Sequence, residues 1–141
     1  MPVPVRGRCQ PMKRPELQIA YRSGRVVAIR PRELEPEPLG PIARETGFKV
    51  SPLCDRFEVS ERQLHRIFTD SLGISPKDWL RRDRIVQARQ LLMEGMAVKE
   101  VSVILGFPTP KDFSREFLIL HEVTPTEFQR RHDAERDRRL E

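Results

Sequence analysis

From about residue 50 onward, apolar residues recur in short runs at helical spacing, most of them opened by Ser or Thr and several closed by Gly. Ser51 before Pro52 predicts an N-cap with proline at the first helical position, opening a short helix towards Phe57. Ser60 predicts a second cap, over ERQLHRIFTDSL, in which Leu64, Ile67, Phe68 and Leu72 fall on one face. Gly73 ends that helix by supplying a left-handed residue. Ser75 and Pro76 open the longest run, where Trp79, Leu80, Ile85, Ala88, Leu91 and Leu92 keep the 3.6-residue period until Gly95. At about 1.5 Å per residue this helix is roughly 28 Å long. VKEVSVIL gives another short helix that stops at Gly106, Thr109 and Pro110 open PKDFSREFLILH, and PTEFQRR follows Thr124. The fold class expected is all-α: two helix-turn-helix subdomains, about 50–73 and 98–121, joined by a linker helix over 76–94 and closed by a helix over 125–132.

The pattern is different before that. Seven of the 13 prolines fall in the first 40 residues, where they argue against long helices. Within this basic extension, LQIAYRSGRVVAIR places two apolar-rich runs around Ser23 and Gly24, which predicts a β-hairpin over 17–30. An isolated hairpin is marginal in water, so it needs a surface to pack on. PRELEPEPLGP reads as a linker stiffened by proline, residues 41–132 as the globular domain, and 133–141 as a charged tail.

The helical region repeats itself. Residues 60–82 laid over 109–131, a shift of 49, match Leu64 with Phe113, Arg66 with Arg115, Phe68 with Phe117, Ile74 with Val123, Pro76 with Pro125 and Trp79 with Phe128. Burying Leu64, Ile67 and Phe68 leaves Arg62, His65, Arg66 and Thr69 on one outer stripe. Burying Phe113 and Phe117 leaves Lys111, Ser114 and Arg115 on the matching face. Either stripe alone reads as a solvated face; two matched copies point to a polyanion, since a helix fits the major groove and arginine pairs bidentately with guanine.

Charge sharpens this only modestly. The chain of 141 residues carries 26 basic and 21 acidic residues, a net +5. Most of the excess lies in residues 1–40, and the helical region is close to neutral, so positive charge there must be gathered on one side. Cys9 and Cys54 form neither a disulfide framework nor a zinc pattern; reduced thiols are expected, with Cys9 beside Arg6, Arg8 and Lys13 the one candidate for a reactive thiolate. His65, His121 and His132 lack ligand spacing, and no phosphate-cradling glycine loop or nucleophile elbow is present. The expectation is therefore no enzyme, no cofactor and no metal. No apolar stretch reaches the roughly 20 residues of a membrane span, and no apolar run follows the first basic residues as in a secretory signal, so the cytoplasm is expected.

These residues resemble the AraC/XylS family of bacterial transcription regulators over roughly 41–132. Ser60, Leu64, Arg66 and Phe68 fit its first recognition helix, followed by GISP at 73–76. WLRRDRIVQARQLL is similar to its linker helix, with Arg84, Ala88 and Leu91-Leu92 in register; VKEVSVILGF, DFSREF and VTPTEFQRR fit its second unit. The resemblance implies two recognition helices entering successive major grooves of double-stranded DNA, with base contacts from Arg62, His65, Arg66, Lys111, Ser114 and Arg115. It implies phosphate contacts at Ser60 and Thr109, and RNA polymerase as a further partner.

The chain also departs from the family pattern. Glu58 and Glu122 stand where glycine is usual, which strains a left-handed turn. Leu118, Ile119 and Leu120 stand where the family tends to be basic. Two readings follow for this triplet: local repacking, for instance beneath the N-terminal hairpin, or a surface for a protein partner. The second would make the chain a protein-interaction module on a repurposed scaffold, with weak or no DNA binding, and salt dependence separates the two functions. Forty proline-rich residues are too few to enclose a sizeable ligand pocket, so the chain is expected to act alone or as a piece of a larger regulator.

Overall fold

The computed structural model describes residues 16–30 and 35–140; Cys9 and the basic residues around it lie outside them. The hairpin pairs β1 (Gln18–Arg22) with β2 (Arg25–Ile29), antiparallel, with Ile19 opposite Ala28 and Arg22 opposite Arg25. Ser23 and Gly24 both take positive φ, 53° and 77°, the geometry that a two-residue hairpin turn requires. A short third strand, β3 (Glu37–Pro38), adds to β2, so part of the segment expected as linker joins the sheet. The next residue already begins a helix, α1 (Leu39–Glu45), which buries Leu39, Ile42 and Ala43.

Five of the remaining six helices begin as the sequence indicates. In α3 (Glu61–Leu72), Ser60 Oγ accepts from Gln63 N at 3.1 Å and Gln63 Oε1 accepts from Ser60 N at 3.2 Å, a reciprocal capping box. Ser75 caps α4 (Pro76–Met93), and Thr109 caps α6 (Pro110–His121), each with proline in the first turn. Thr124 Oγ1 accepts from Glu127 N at 3.2 Å ahead of α7 (Pro125–Leu140). The exception is α2 (Val50–Phe57), which starts one residue before Ser51: Lys49 is its N-cap, with no side-chain cap bond, and Ser51 lies inside the helix. A short α5 (Val98–Ile104) precedes α6. The last helix does not stop near residue 132 but continues through the charged tail to Leu140, supported by pairs such as Arg139 with Glu135 at 3.3 Å.

Two cores form, and α4 serves both. Its Trp79 and Leu80 join Leu39, Leu53, Leu64 and Phe68 in the first. Its Ile85, Ala88 and Leu92 join Val101, Leu105, Phe113 and Phe117 in the second. Burying a side chain of this size stabilises the fold by roughly 1.5–3 kcal/mol. The hairpin finds its support in the first core: β1 lies against α3, and Leu17, Ile19 and Ala28 are buried with Leu64, Ile67 and Phe68. It is tied further by Arg30, which pairs with Glu37 at 3.4 Å and lies over the Phe57 ring at 5.3 Å. Phe48 packs against both cores.

Candidate nucleic-acid interface

The outer face of α3 is built by what its inner face buries. With Leu64, Ile67 and Phe68 inward, Arg62, His65 and Arg66 are left exposed along one side. Thr69, expected on that stripe, turns its hydroxyl back to donate to His65 O at 2.9 Å and is half-buried. On α6, burial of Phe113 and Phe117 leaves Lys111 and Arg115 exposed and Ser114 half-buried. Among the described residues Arg62, His65 and Lys111 have no side-chain partner, so their donors face water.

The two central arginines are held differently. Arg115 Nη2 donates to Asp112 Oδ1 at 3.1 Å, and the other Asp112 oxygen accepts from Thr109 Oγ1 at 2.9 Å, a chain confined to the first turn and a half of α6. Arg66 Nη2 instead donates to Glu16, fifty residues away, just ahead of β1. That bond raises the Arg66 pKa further above its already high ordinary value, with the charge of Glu16 adding to it. Ser60 and Thr109, the expected phosphate contacts, act as N-caps at the two helix starts, where the helix dipole favours an anion.

The two helices are set relative to one another through α4. Arg81 grips Glu116 of α6 with two bonds, Nε to Oε1 at 2.7 Å and Nη2 to Oε2 at 3.1 Å. The hydrogen bond from Arg81 holds the Glu116 carboxyl below the usual carboxylate range, against a smaller opposing effect of burial. Arg84 stacks on the Phe107 ring at 3.8 Å, reaches the Phe48 ring at 5.6 Å and donates to Leu105 O at 2.8 Å. Burial lowers its pKa, which does not discharge a guanidinium at neutral pH.

The aliphatic triplet on α6 is not repacked under the hairpin, because the hairpin sits on α3. Leu118, Ile119 and Leu120 are 46%, 57% and 39% exposed. Sequence reasoning found the two stripes and their caps; it missed Glu16 and the Arg81–Glu116 clasp, since no local spacing links residues 50 or 35 positions apart. Among the described residues no cluster of His, Cys, Asp or Glu is placed to hold a metal, and no helix is long and apolar enough to cross a membrane.

Two capped helices bearing matched basic faces, joined by one helix that feeds both cores, define a double helix-turn-helix protein. Residues 53–131 match the family model of a helix-turn-helix domain, and the chain belongs to the AraC-type helix-turn-helix family of transcriptional regulators. The HTH-type transcriptional regulator CdhR of Pseudomonas aeruginosa is 32% identical over 127 residues, covering 87% of this chain and 36% of CdhR. The transcriptional regulatory protein HptR of Staphylococcus aureus is 34% identical over 84 residues, covering 60% of this chain and 33% of HptR. The chain thus spans about a third of the length of each of these two relatives. Among solved structures, the DNA-binding domain of AdpA in complex with a target DNA aligns with a TM-score of 0.61 at 28% identity, over 69% of this chain and 91% of that one.

Proposed function

We propose that this chain regulates transcription by inserting α3 and α6 into successive major grooves of double-stranded DNA. The observation that carries this reading is the pair of exposed basic stripes, Arg62, His65 and Arg66 on α3 and Lys111 and Arg115 on α6, on helices held by opposite halves of α4. An α4 of 18 residues is about 27 Å long, the scale of the groove repeat of about 34 Å. Arg62, His65, Arg66, Lys111, Ser114 and Arg115 read base edges, and Ser60 and Thr109 meet phosphates at the helix starts. The carboxylates now bound by Arg66 and Arg115 do not prevent this. Exposed ion pairs are worth about 0–1 kcal/mol, while a bidentate arginine–guanine contact discriminates by about 1–3 kcal/mol. The solved likeness to AdpA, whose domain was captured on a target DNA, supports the same reading.

Selection of bound fragments from random duplex DNA tests it. A preferred sequence is expected to span two groove segments about one helical turn apart, with affinity falling steeply between roughly 50 and 200 mM salt. Arg66→Ala and Arg115→Ala should each erase preference at one base pair, at about 1–3 kcal/mol, one in each segment. No selectable sequence at low salt, or a flat salt response, sinks the proposal.

A further inference from the structure

We propose that Glu16 is a positioning residue for the first recognition helix: its carboxylate pre-orders the Arg66 guanidinium and leaves its other donors free for a guanine edge. This rests on the reading of α3 as a DNA-reading helix. Three observations carry it.

The contact is single. Only Arg66 Nη2 meets Glu16, and among the described residues Nε and Nη1 make no hydrogen bond. A guanidinium has five N–H donors, so a bidentate pair to guanine O6 and N7 remains open. Glu16 is also anchored. The residue after it, Leu17, is buried with Ile19 in the core that contains Leu64 and Phe68 of α3, so the carboxylate is fixed to the helix it serves. An arginine side chain carries about 2 kcal/mol of rotamer entropy, and ordering it before DNA arrives lowers what must be lost on binding. Finally, the contact is too weak to mask Arg66. Arg66 and Glu16 are 53% and 42% exposed, so the pair is a surface one, and a single bond does not outcompete a bidentate base contact. Residue 16 lies outside the stretch 53–131 that matches the family domain, so the contact joins a recognition helix to a part of the chain which that domain model does not describe.

The test uses the full chain, the duplex selected above, and a random-sequence duplex pool. Glu16→Gln is expected to lower the selected-to-random affinity ratio roughly three- to tenfold, part of the roughly 5- to 150-fold carried by the arginine itself. The loss should concentrate at the base pair whose preference Arg66→Ala erases, and Glu16→Gln should change the ratio no further in the Arg66→Ala background. The salt slope and thermal midpoint stay at wild-type values. A merely structural role would not produce that base-specific, Arg66-dependent pattern. Three results overturn the proposal: Glu16→Gln leaves the ratio unchanged, tightens selected or all duplexes, or shifts the ratio equally with Arg66 absent. Failure of the wild type to select any duplex is different, since it removes the DNA-reading function on which Glu16 acts.

Discussion

Among the described residues, four other than glycine adopt positive φ, and two of them, Glu58 at 55° and Glu122 at 58°, are the left-handed C-caps of α2, ahead of α3, and of α6, ahead of α7. A side chain there costs about 1–2 kcal/mol relative to glycine, partly offset by about 0.5–1 kcal/mol of extra glycine entropy in the unfolded chain. Both carboxylates are exposed, so nothing is lost from either core by removing them. Glu58→Gly and Glu122→Gly are therefore each expected to stabilise the fold by about 0.5–1 kcal/mol, read as a rise in denaturation midpoint with unchanged slope. Destabilisation by either would show that the glutamate makes a compensating interaction. Phe48, at φ 58°, is the contrasting case. Its ring packs on both cores and lies near Arg84, so glycine there would relieve the backbone while opening the junction between the units. The strain at both glutamates was legible in the sequence, from the family's glycine at those positions; that at Phe48 was not, because no motif marked the turn after α1.

At the level of elements, the caps decided what could be read. Ser60, Ser75, Thr109 and Thr124 each accept from a backbone N–H three residues on, and each helix start was visible as a hydroxyl residue before an apolar period. Ser51 carried the same signal falsely, because Lys49 in extended geometry starts α2 without any side-chain cap. The extension of α7 to Leu140 was hidden for another reason: its last two turns are exposed and carry no apolar period, and only charge pairs at helical spacing support them. The triplet on α6 remains the clearest difference between the two units. Leu118 lies seven residues beyond Lys111 and three beyond Arg115 on the outer side of the helix, where it adds no positive charge. Converting Leu118 and Ile119 to Lys should tighten binding to any duplex at low salt. It should also steepen the slope of log K against log salt by about 0.9 for each new phosphate contact, with little change in stability at exposed positions. An unchanged slope would place this side of α6 away from the DNA backbone.

For the molecule as a whole, the proposed two-groove function depends on how firmly one unit is oriented against the other, and Arg84 contributes to that alongside the Arg81–Glu116 pair. Arg84 lies on α4 between the residues given to the first core and those given to the second, and it binds Phe107, Leu105 O and the Phe48 ring together. The sequence placed Arg84 in register within the linker helix, yet its partners come from two separate turns and could not be read from spacing. Lysine would keep the charge and much of the aliphatic stem but lose the planar stack and the directed Nε–H donor. A charge-assisted hydrogen bond is worth about 1.5–3 kcal/mol and a partly desolvated cation–π contact about 0.5–2 kcal/mol, so Arg84→Lys should cost about 1–3 kcal/mol of stability. Its effect on DNA should depend on the length of the duplex. A short duplex that offers only the α3 segment tests one unit, whose core contains Trp79 and Leu80 but not Arg84, and its affinity should stay near wild type. On a duplex carrying both segments, the second helix engages as an intramolecular step whose gain depends on geometry, so a loosened junction lowers affinity and weakens protection of the α6 segment. Footprinting of wild type and Arg84→Lys on the two duplexes separates these effects. Equal losses on both would mean that Arg84 supports the fold as a whole rather than the angle between its reading heads.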